Sequence, residues 1–212
     1  MTGHLITLEG GEGSGKTTNI RFVESLLATS GVEVLLTREP GGTILGEAIR
    51  ELLLSPSVTA STITPRSELL LMFAARCQHL DEVILPALKQ GKWVLCDRFV
   101  DASYAYQGGG RGIATEVIQQ LEQWLLPPEL KVNLTLYLDI PVATSMSRAR
   151  SRGDLDRFEQ EADPFFERVR KRYLELASHQ QQRIKVIDAS RPLGDVQSDI
   201  QREISAYIEN SR

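Results

Sequence analysis

The stretch Gly10-Gly11-Glu12-Gly13-Ser14-Gly15-Lys16-Thr17 decides the fold of this chain. It fits the pattern G-x-x-x-x-G-K-[ST] of the phosphate-binding loop in P-loop nucleotide enzymes. Glycines let successive backbone N–H groups approach phosphate oxygens, because no Cβ stands in the way. Lys16 supplies a positive charge for the β- and γ-phosphates, and the Thr17 hydroxyl is suited to Mg²⁺. The sequence therefore predicts an ATP-binding loop that runs from Gly10 through Thr18.

The residues on either side of this loop predict the strand and the helix that it requires. His4 to Glu9 form a short apolar-rich run that indicates a buried strand. After the loop, apolar residues recur at helical spacing as far as Gly31. The alternative is a glycine-rich turn that binds nothing, and the order of strand, loop and helix argues against it.

Further strands and helices alternate along the rest of the chain. The predicted strands cover Val32 to Thr37, Lys92 to Cys96, Asn133 to Leu138 and Ile184 to Ile187. The predicted helices cover residues 43–54, 64–88 with a kink near Pro86, 113–126, 141–153, 163–182 and 193–208, and a loop covers 55–64. This order predicts an α/β fold of the P-loop NTPase type, a five-stranded parallel sheet with helices on both faces.

The ends of the predicted strands locate the candidate site. Ligands of open parallel sheets bind beyond the carboxyl ends of the strands. Glu9, Arg38 and Asp97 lie at such ends, and the loop from Gly10 follows directly. We therefore expect these residues to converge on one edge of the sheet.

Composition limits the classes of protein that the chain can form. Its 212 residues suit one domain over residues 1–212, and the net charge of −4 argues against a general nucleic-acid coat. Cys77 and Cys96 lack C-x-x-C partners, so neither a zinc site nor a disulfide framework is expected. No leader pattern and no apolar run of 18 residues is found, so we expect a cytoplasmic protein that does not enter membranes.

Two motifs follow the ends of the second and third predicted strands. In Thr-Arg-Glu-Pro-Gly-Gly-Thr, residues 37–43, Arg38 is suited to contact an anionic substrate; the alternative is a surface ion pair in a strand-to-helix connection. In Asp-Arg-Phe, residues 97–99, Asp97 stands where P-loop enzymes hold a carboxylate near Mg²⁺. Arg98 can bind a phosphate through two N–H groups, or form a salt bridge with a neighbouring acid.

Aromatic and amide side chains offer contacts to a nucleobase. Phe73 and Arg76 share one helix face, so a ring can stack on a base while the guanidinium bonds its carbonyl. Phe73 taken alone is more typical of a core position. Tyr106 offers a flat wall, and Gln107 offers an amide that can read a base edge or a sugar.

An arginine cluster lies around a glycine between two predicted helices. Its members are Arg148, Arg150, Arg152 and Arg157. A mobile lid over residues 148–160 would have this character, and its arginines could neutralise charge on a transferring phosphoryl group. The alternative is a solvated helix end. Glu12, unexpected beside phosphates, is suited to hold a lid arginine.

Together these motifs resemble the thymidylate kinase family over nearly the whole chain. The phosphate loop, Thr-Arg-Glu-Pro-Gly-Gly-Thr, Phe-Ala-Ala-Arg, Asp-Arg-Phe…Ala-Tyr-Gln and the arginine-rich lid occur in that family's order and spacing. The resemblance is greatest to the bacterial type, in which the lid supplies the catalytic arginine. One departure is Ala102, where many members have serine; Ser103 follows it here.

The resemblance implies transfer of the γ-phosphoryl group of ATP to dTMP, which gives dTDP, with Mg²⁺ as cofactor. It implies that Lys16, Arg98 and Arg152 are catalytic and that Thr17 and Asp97 serve the metal. It also implies a homodimer that packs helices across a two-fold axis. The substrate-binding residues that it implies are Arg38, Glu39, Phe73, Arg76, Arg98, Ser103, Tyr106 and Gln107. Among these, Phe73 stacks on thymine, Arg76 bonds its O4 atom, and Tyr106 favours deoxyribose.

Two rival functions remain at this point. A kinase for another nucleotide or nucleoside shares most of these motifs. A regulatory GTPase would need Asn-Lys-x-Asp for guanine and an Asp-x-x-Gly switch, and the sequence contains neither.

Overall fold

A computed structural model of the chain describes residues 3–55, 63–151 and 156–211. In this described part, five strands pair in parallel in the order β2-β3-β1-β4-β5. They are β1 (Leu5–Gly10), β2 (Val34–Arg38), β3 (Trp93–Asp97), β4 (Val132–Asp139) and β5 (Ile184–Asp188). The predicted fold class is confirmed, and the strand order puts β1 and its loop in the middle of the sheet.

The helices of the described residues alternate with these strands. They are α1 (Lys16–Thr29), α2 (Ile44–Leu54), α3 (Pro65–His79), α4 (Leu85–Lys89), α5 (Val100–Ser103), α6 (Thr115–Leu125), α7 (Val142–Arg150), α8 (Asp163–His179) and α9 (Leu193–Ser211). Two π-helical turns continue α3 and α5, at Leu80–Ile84 and Tyr104–Gly110.

The core lies on both faces of the sheet, because neighbouring residues of a strand point to opposite sides. Ile6 and Leu95 belong to the cluster that packs α1 and α9 against one face. Leu5 and Val94, one residue earlier, belong to the cluster formed with α4 and the turn before it on the other face. Helix α8 completes that side with an aromatic cluster around Tyr137 of β4. Helices on both faces explain why the central strands are apolar throughout.

Helix ends agree with the sequence signals in some places and differ in others. Thr64 caps α3, because its hydroxyl accepts a hydrogen bond from the Ser67 N–H at 3.2 Å. The helix distortion expected near Pro86 is a π-helical turn that comes before the proline, at Leu80–Ile84. The residue preceding α8 is Ala162 rather than Asp163, and its side chain makes no capping bond.

The segment after Phe99 is helical, although its sequence predicted no element. Three consecutive glycines, Gly108 to Gly110, suggest a flexible turn, yet they close a π-helical turn packed against α8. A Cβ on Gly109 would lie 2.8 Å from the Cβ of Arg172, and a Cβ on Gly110 would overlap the ring of Phe165. These glycines therefore serve close helix packing, which local propensity cannot show.

Other predicted features fall wholly or partly outside the described residues. The expected loop over 55–64 is described only at its two ends, and the expected helix stop at Gly153 lies in 152–155. Helix α7 ends before that glycine, at Arg150. Within the described ranges, no helix combines the length and the apolar character needed to cross a bilayer.

Candidate active site

A cavity of about 730 Å³ opens where the phosphate loop meets the ends of β2 and β3. Its lining is rich in cationic side chains, which suits a ligand that carries several phosphates. These cations are Lys16, Arg38, Arg50, Arg76, Arg98 and Arg148. Carboxylates also line it, namely Glu12, Glu39, Asp97, Asp156 and Glu159.

The loop after β1 has the backbone that its glycines predict. Gly13 and Gly15 have φ angles of 68° and 87°, in the left-handed region that favours glycine. A Cβ on Gly13 would collide with the carbonyl oxygen of Ser145 in α7. The Ser14 hydroxyl donates to the Gly11 carbonyl at 2.8 Å, which closes the loop before α1 begins at Lys16. The loop and the helix N-terminus thus form a setting for anions.

Lys16 lies inside this loop. Its Nζ donates to the carbonyl oxygens of Gly10 at 3.1 Å and Gly11 at 2.9 Å. Burial lowers the pKa of Lys16, and the positive charge of Arg98 adds to the effect. The predicted ATP-binding residues from Glu12 to Thr18 line the cavity, whereas Gly10 and Gly11 lie behind it and contribute carbonyl acceptors.

Thr17 and Asp97 are the residues predicted to serve a metal. Both line the cavity, and the Oδ1 atom of Asp97 is buried without a hydrogen-bond partner among the described residues. A buried carboxylate oxygen with no donor fits a hard cation or its water ligands. The described residues contain no cluster of three or more His, Cys, Asp or Glu side chains that could enclose a metal ion. A metal here would therefore need ligand oxygens in addition to those of the protein.

Arg98 is held on three sides at the edge of the cavity. Its Nη1 donates to the Gly10 carbonyl at 2.7 Å, and its Nη2 donates to Glu12. The guanidinium carbon lies 4.9 Å from the centre of the Tyr106 ring. The backbone of Arg98 has φ of 67°, a strained value for a residue with a side chain. The salt bridge considered as an alternative is thus present, and it holds Arg98 at the cavity wall.

Arg76 is the centre of a buried polar network. Its Nε donates to Glu39 at 2.7 Å, its Nη1 to the Ser103 hydroxyl at 3.1 Å and its Nη2 to the Phe99 carbonyl at 3.1 Å. His79 bonds the other oxygen of Glu39 at 3.1 Å. The guanidinium is therefore fixed in orientation, as a base-reading group must be.

Phe73 is positioned differently from the other predicted contacts of the base. Its side chain is 5% exposed and packs with Leu69 and Ile118, and it is not part of the cavity lining. The Arg76 guanidinium lies 4.8 Å from the ring centre, and the preceding residue, Met72, lines the cavity. The core alternative thus describes this structure, and stacking on thymine stays a prediction.

Tyr106, Gln107 and Arg38 all line the cavity. The Tyr106 hydroxyl donates to Glu12 at 3.0 Å, and the Gln107 amide donates to Glu68 at 3.0 Å. Arg38 forms a half-exposed ion pair with Glu47 at 2.8 Å. Arg38 therefore has both features that the sequence suggested, a surface ion pair and a position at the cavity.

The arginines of the predicted lid separate into distinct environments. Arg148 lines the cavity and donates to the Ala189 carbonyl at 3.0 Å, whereas Arg150 is exposed and 3.6 Å from Asp163. Arg157 is buried away from the cavity and donates to the Leu53 carbonyl at 2.6 Å. Arg152 lies outside the described residues.

Three residues of this region carried no sequence signal for a site. Arg50 lines the cavity from α2, where a periodic pattern makes any arginine look like a solvated residue. Glu68 is 1% exposed near the start of α3, where an acid usually serves the helix dipole. Tyr173, from α8, donates to the buried carboxylate of Glu9 at 2.7 Å. Only the tertiary fold brings these side chains to the site.

Glu9 is a buried acid beneath the loop. It also accepts a hydrogen bond from the Phe99 N–H at 2.7 Å. Burial, reinforced by the negative charge of Asp101, raises the pKa of Glu9 to about 8. The hydrogen bond to Phe99 joins the end of β1 to the residue that follows Arg98.

A phosphate loop at the centre of a parallel sheet, with a cation-lined cavity at the strand ends, defines the class of P-loop nucleotide kinases. The sequence model of the family described as Thymidylate kinase matches residues 8–200. The chain belongs to the thymidylate kinase family.

Similarity to individual proteins supports this assignment. The chain is 53% identical over 212 residues to Thymidylate kinase of Pseudomonas entomophila (strain L48), with 100% of both chains covered. It is 54% identical to Thymidylate kinase of Methylococcus capsulatus, with 97% of each covered. The crystal structure of thymidylate kinase from Ehrlichia chaffeensis matches with a TM-score of 0.75 and 33% identity, covering 96% of this chain and 99% of that one.

Proposed function

We propose that this protein transfers the γ-phosphoryl group of ATP to dTMP and releases dTDP and ADP. One observation carries the proposal: a single cavity is lined both by the phosphate loop and by the polar network of Arg76. Arg98 connects the two, because its side chain bonds the loop and its neighbour Phe99 bonds Arg76 through the carbonyl. Two nucleotides bound head to tail would bring their phosphates together at Arg98.

Catalysis by this site rests on positioning and charge stabilisation. Phosphoryl transfer proceeds through a loose transition state that asks little covalent chemistry of the protein. Lys16 and the loop N–H groups bind the β- and γ-phosphates, while Arg98 binds the acceptor phosphate. That phosphate is already an anion, so the acceptor needs no general base. Arg152 stabilises the transferring group from the lid.

The cofactor in this proposal is Mg²⁺. The Thr17 hydroxyl and the unpartnered Oδ1 of Asp97 are the protein groups suited to it, directly or through water. When bound, the ion neutralises charge on the phosphates of ATP. The small number of protein oxygens agrees with the preference of Mg²⁺ for sites completed by phosphates and water.

The base and sugar contacts belong to the other end of the cavity. Arg76 donates to the thymine O4 atom, with its orientation set by Glu39, and Ser103 faces the base edge. The Tyr106 ring crowds the C2′ position and so favours deoxyribose. Gln107 contacts the base, and Arg38 assists at the phosphate. Stacking on Phe73 requires its ring to become accessible beside Arg76.

All 212 residues are assigned to one kinase domain with a lid over about residues 148–160. Asp156 and Glu159 line the cavity, which supports a role of this segment at the site. The two cysteines are free thiols, as expected for a cytoplasmic enzyme.

The active form is a homodimer that packs α3 against the same helix of a second copy. The outer face of α3 carries Leu70, which is 58% exposed, followed by exposed Ala74 and half-buried Cys77. These residues are spaced by four and three positions, so they form one apolar stripe on a helix whose opposite face is already buried. A self-complementary stripe suits a two-fold axis. Light scattering should give twice the chain mass for wild type and a smaller mass for Leu70→Glu.

A coupled ADP-release assay with a panel of monophosphates tests the proposed reaction. We expect ATP turnover with dTMP to exceed that with dGMP, dAMP or dCMP, and to require Mg²⁺. Faster turnover with a purine monophosphate would reject dTMP and favour the rival kinase. Nucleotide-dependent binding of a partner protein, without dTMP-dependent ADP release, would favour a switch protein instead.

A further inference from the structure

Glu68 is a buried carboxylate next to the site with no part in the reaction described so far. It accepts hydrogen bonds from Gln107 Nε2 at 3.0 Å, Arg111 Nε at 3.1 Å and Arg157 Nη2 at 2.8 Å. Its side chain is 1% exposed, and it does not line the cavity. Glu68 can therefore act on a ligand only through another residue.

The two arginines hold this carboxylate in place. Arg157 is anchored by the Leu53 carbonyl at 2.6 Å and packs over the Phe158 ring at 4.3 Å. Arg111 also pairs with Glu161, and its guanidinium lies 4.6 Å from the ring centre of Phe165. Both cations are thus fixed by contacts other than Glu68, so the carboxylate between them has little freedom to rotate.

The orientation of the Gln107 amide follows from this arrangement. A carboxylate paired with two guanidinium groups offers only acceptors, so the amide must turn its NH₂ group toward Glu68. Gln107 lines the cavity, and its Oε1 has no hydrogen-bond partner among the described residues. The carbonyl is therefore the end of the amide available to a ligand.

We propose that Glu68 is a positioning residue that fixes the Gln107 carbonyl toward the base and so selects a pyrimidine with an N3–H group. The inference rests on the proposed function, because it takes the monophosphate base to lie against Gln107. Thymine carries a hydrogen on N3 and can donate to this carbonyl. Cytosine has a bare N3 that repels it. The pocket thus obtains part of its base choice from a carboxylate that touches no ligand.

The substitution Glu68→Gln separates this role from simple support. The new amide can donate as well as accept, so the Gln107 amide is free to turn over and present its NH₂ group. We expect the preference for dTMP over 5-methyl-dCMP, measured as a ratio of dissociation constants by calorimetry, to fall roughly tenfold. ATP affinity should stay within about twofold. A matched control is Glu116→Gln, an exposed acid in the first turn of α6, which should leave the ratio unchanged.

A double-mutant cycle shows whether Glu68 acts through Gln107. In a Gln107→Ala background, Glu68→Gln should no longer change the ratio, since the group that it orients is gone. An unchanged ratio for Glu68→Gln alone, or an equal change in both backgrounds, would overturn the proposal.

Two further arms keep the test decisive. If Glu68→Gln does not fold, the double variant Glu68→Gln/Arg157→Met removes the buried cation together with the carboxylate and is compared with Arg157→Met alone; the same tenfold fall is expected. Wild-type protein that binds no dTMP would reject the proposed function and this inference with it. Wild-type protein that binds dTMP while Glu68→Gln keeps its ratio would reject the inference alone.

Discussion

Arg98 and Glu12 form an ion pair that ties the end of β3 to the phosphate loop. The side chains are 15% and 19% exposed, so the pair is largely shielded from water. The pair holds a strong phosphate-binding group at the cavity wall, with its remaining donors available to a ligand. Tyr106 also donates to Glu12, which orders the carboxylate from a second side.

The backbone strain at Arg98 gives a prediction that separates stability from activity. With φ of 67°, Arg98→Ala keeps the strain whereas Arg98→Gly relieves it. Both variants lose the guanidinium, so both should raise the KM for dTMP by an order of magnitude or more. In urea unfolding, the glycine variant should be more stable than the alanine variant by about 1 kcal/mol. Equal stability, or an alanine variant with wild-type kinetics, would contradict this explanation.

Lys16→Ala should stop turnover and leave the fold intact. The side chain bonds only carbonyls of its own loop, so its loss removes charge from the phosphates rather than support from the core. A fall in kcat of roughly a thousandfold is expected, with an unchanged circular dichroism spectrum. Lys89→Ala, at an exposed site in α4, is the control. Full activity in Lys16→Ala would mean that the loop does not bind the phosphates of ATP.

Arginines of the lid should respond differently to substitution. Arg152→Ala should lower kcat more than it raises KM, because its contact forms in the transition state. Arg157→Ala should lower thermal stability instead, since it removes a buried partner of Glu68. Steady-state kinetics and calorimetric melting of both variants check this. A stable, catalytically dead Arg157→Ala would exchange the two assignments.

The buried acid Glu9 should make stability depend on pH. Its pKa is raised from 4.5 to about 8, so between these values the folded state holds a proton that the unfolded state releases. The free energy of unfolding of wild type, compared with Glu9→Gln, should therefore fall as the pH rises through this window. Urea unfolding at several pH values measures the difference. A constant difference, or one that grows with pH, would show that Glu9 is ionised throughout.

The sequence predicted the fold and the phosphate loop because both depend on local patterns. Strand and helix periodicities alternate clearly, and the spacing around Lys16 needs no tertiary information. The helix after Phe99 was not predicted, because its glycines serve contacts with α8 that propensity does not record.

Pairing among charged side chains was harder to predict from sequence. Four candidate arginines looked alike in the lid, yet Arg157 is buried on Glu68 while Arg150 is exposed. Glu68 itself looked like an ordinary first-turn acid. Which charges meet depends on how α3, the turn after α5 and the lid pack together, and a one-dimensional pattern does not contain that information.

Calorimetric titration with a bisubstrate mimic, adenosine and thymidine bridged by five phosphates, tests most directly whether one cavity holds both nucleotides. The account predicts binding of one mimic per chain, weakened in competition by either ATP or dTMP and lost in Lys16→Ala. Well-folded protein that gives no heat of binding, or binding that only one of the two nucleotides displaces, would contradict it.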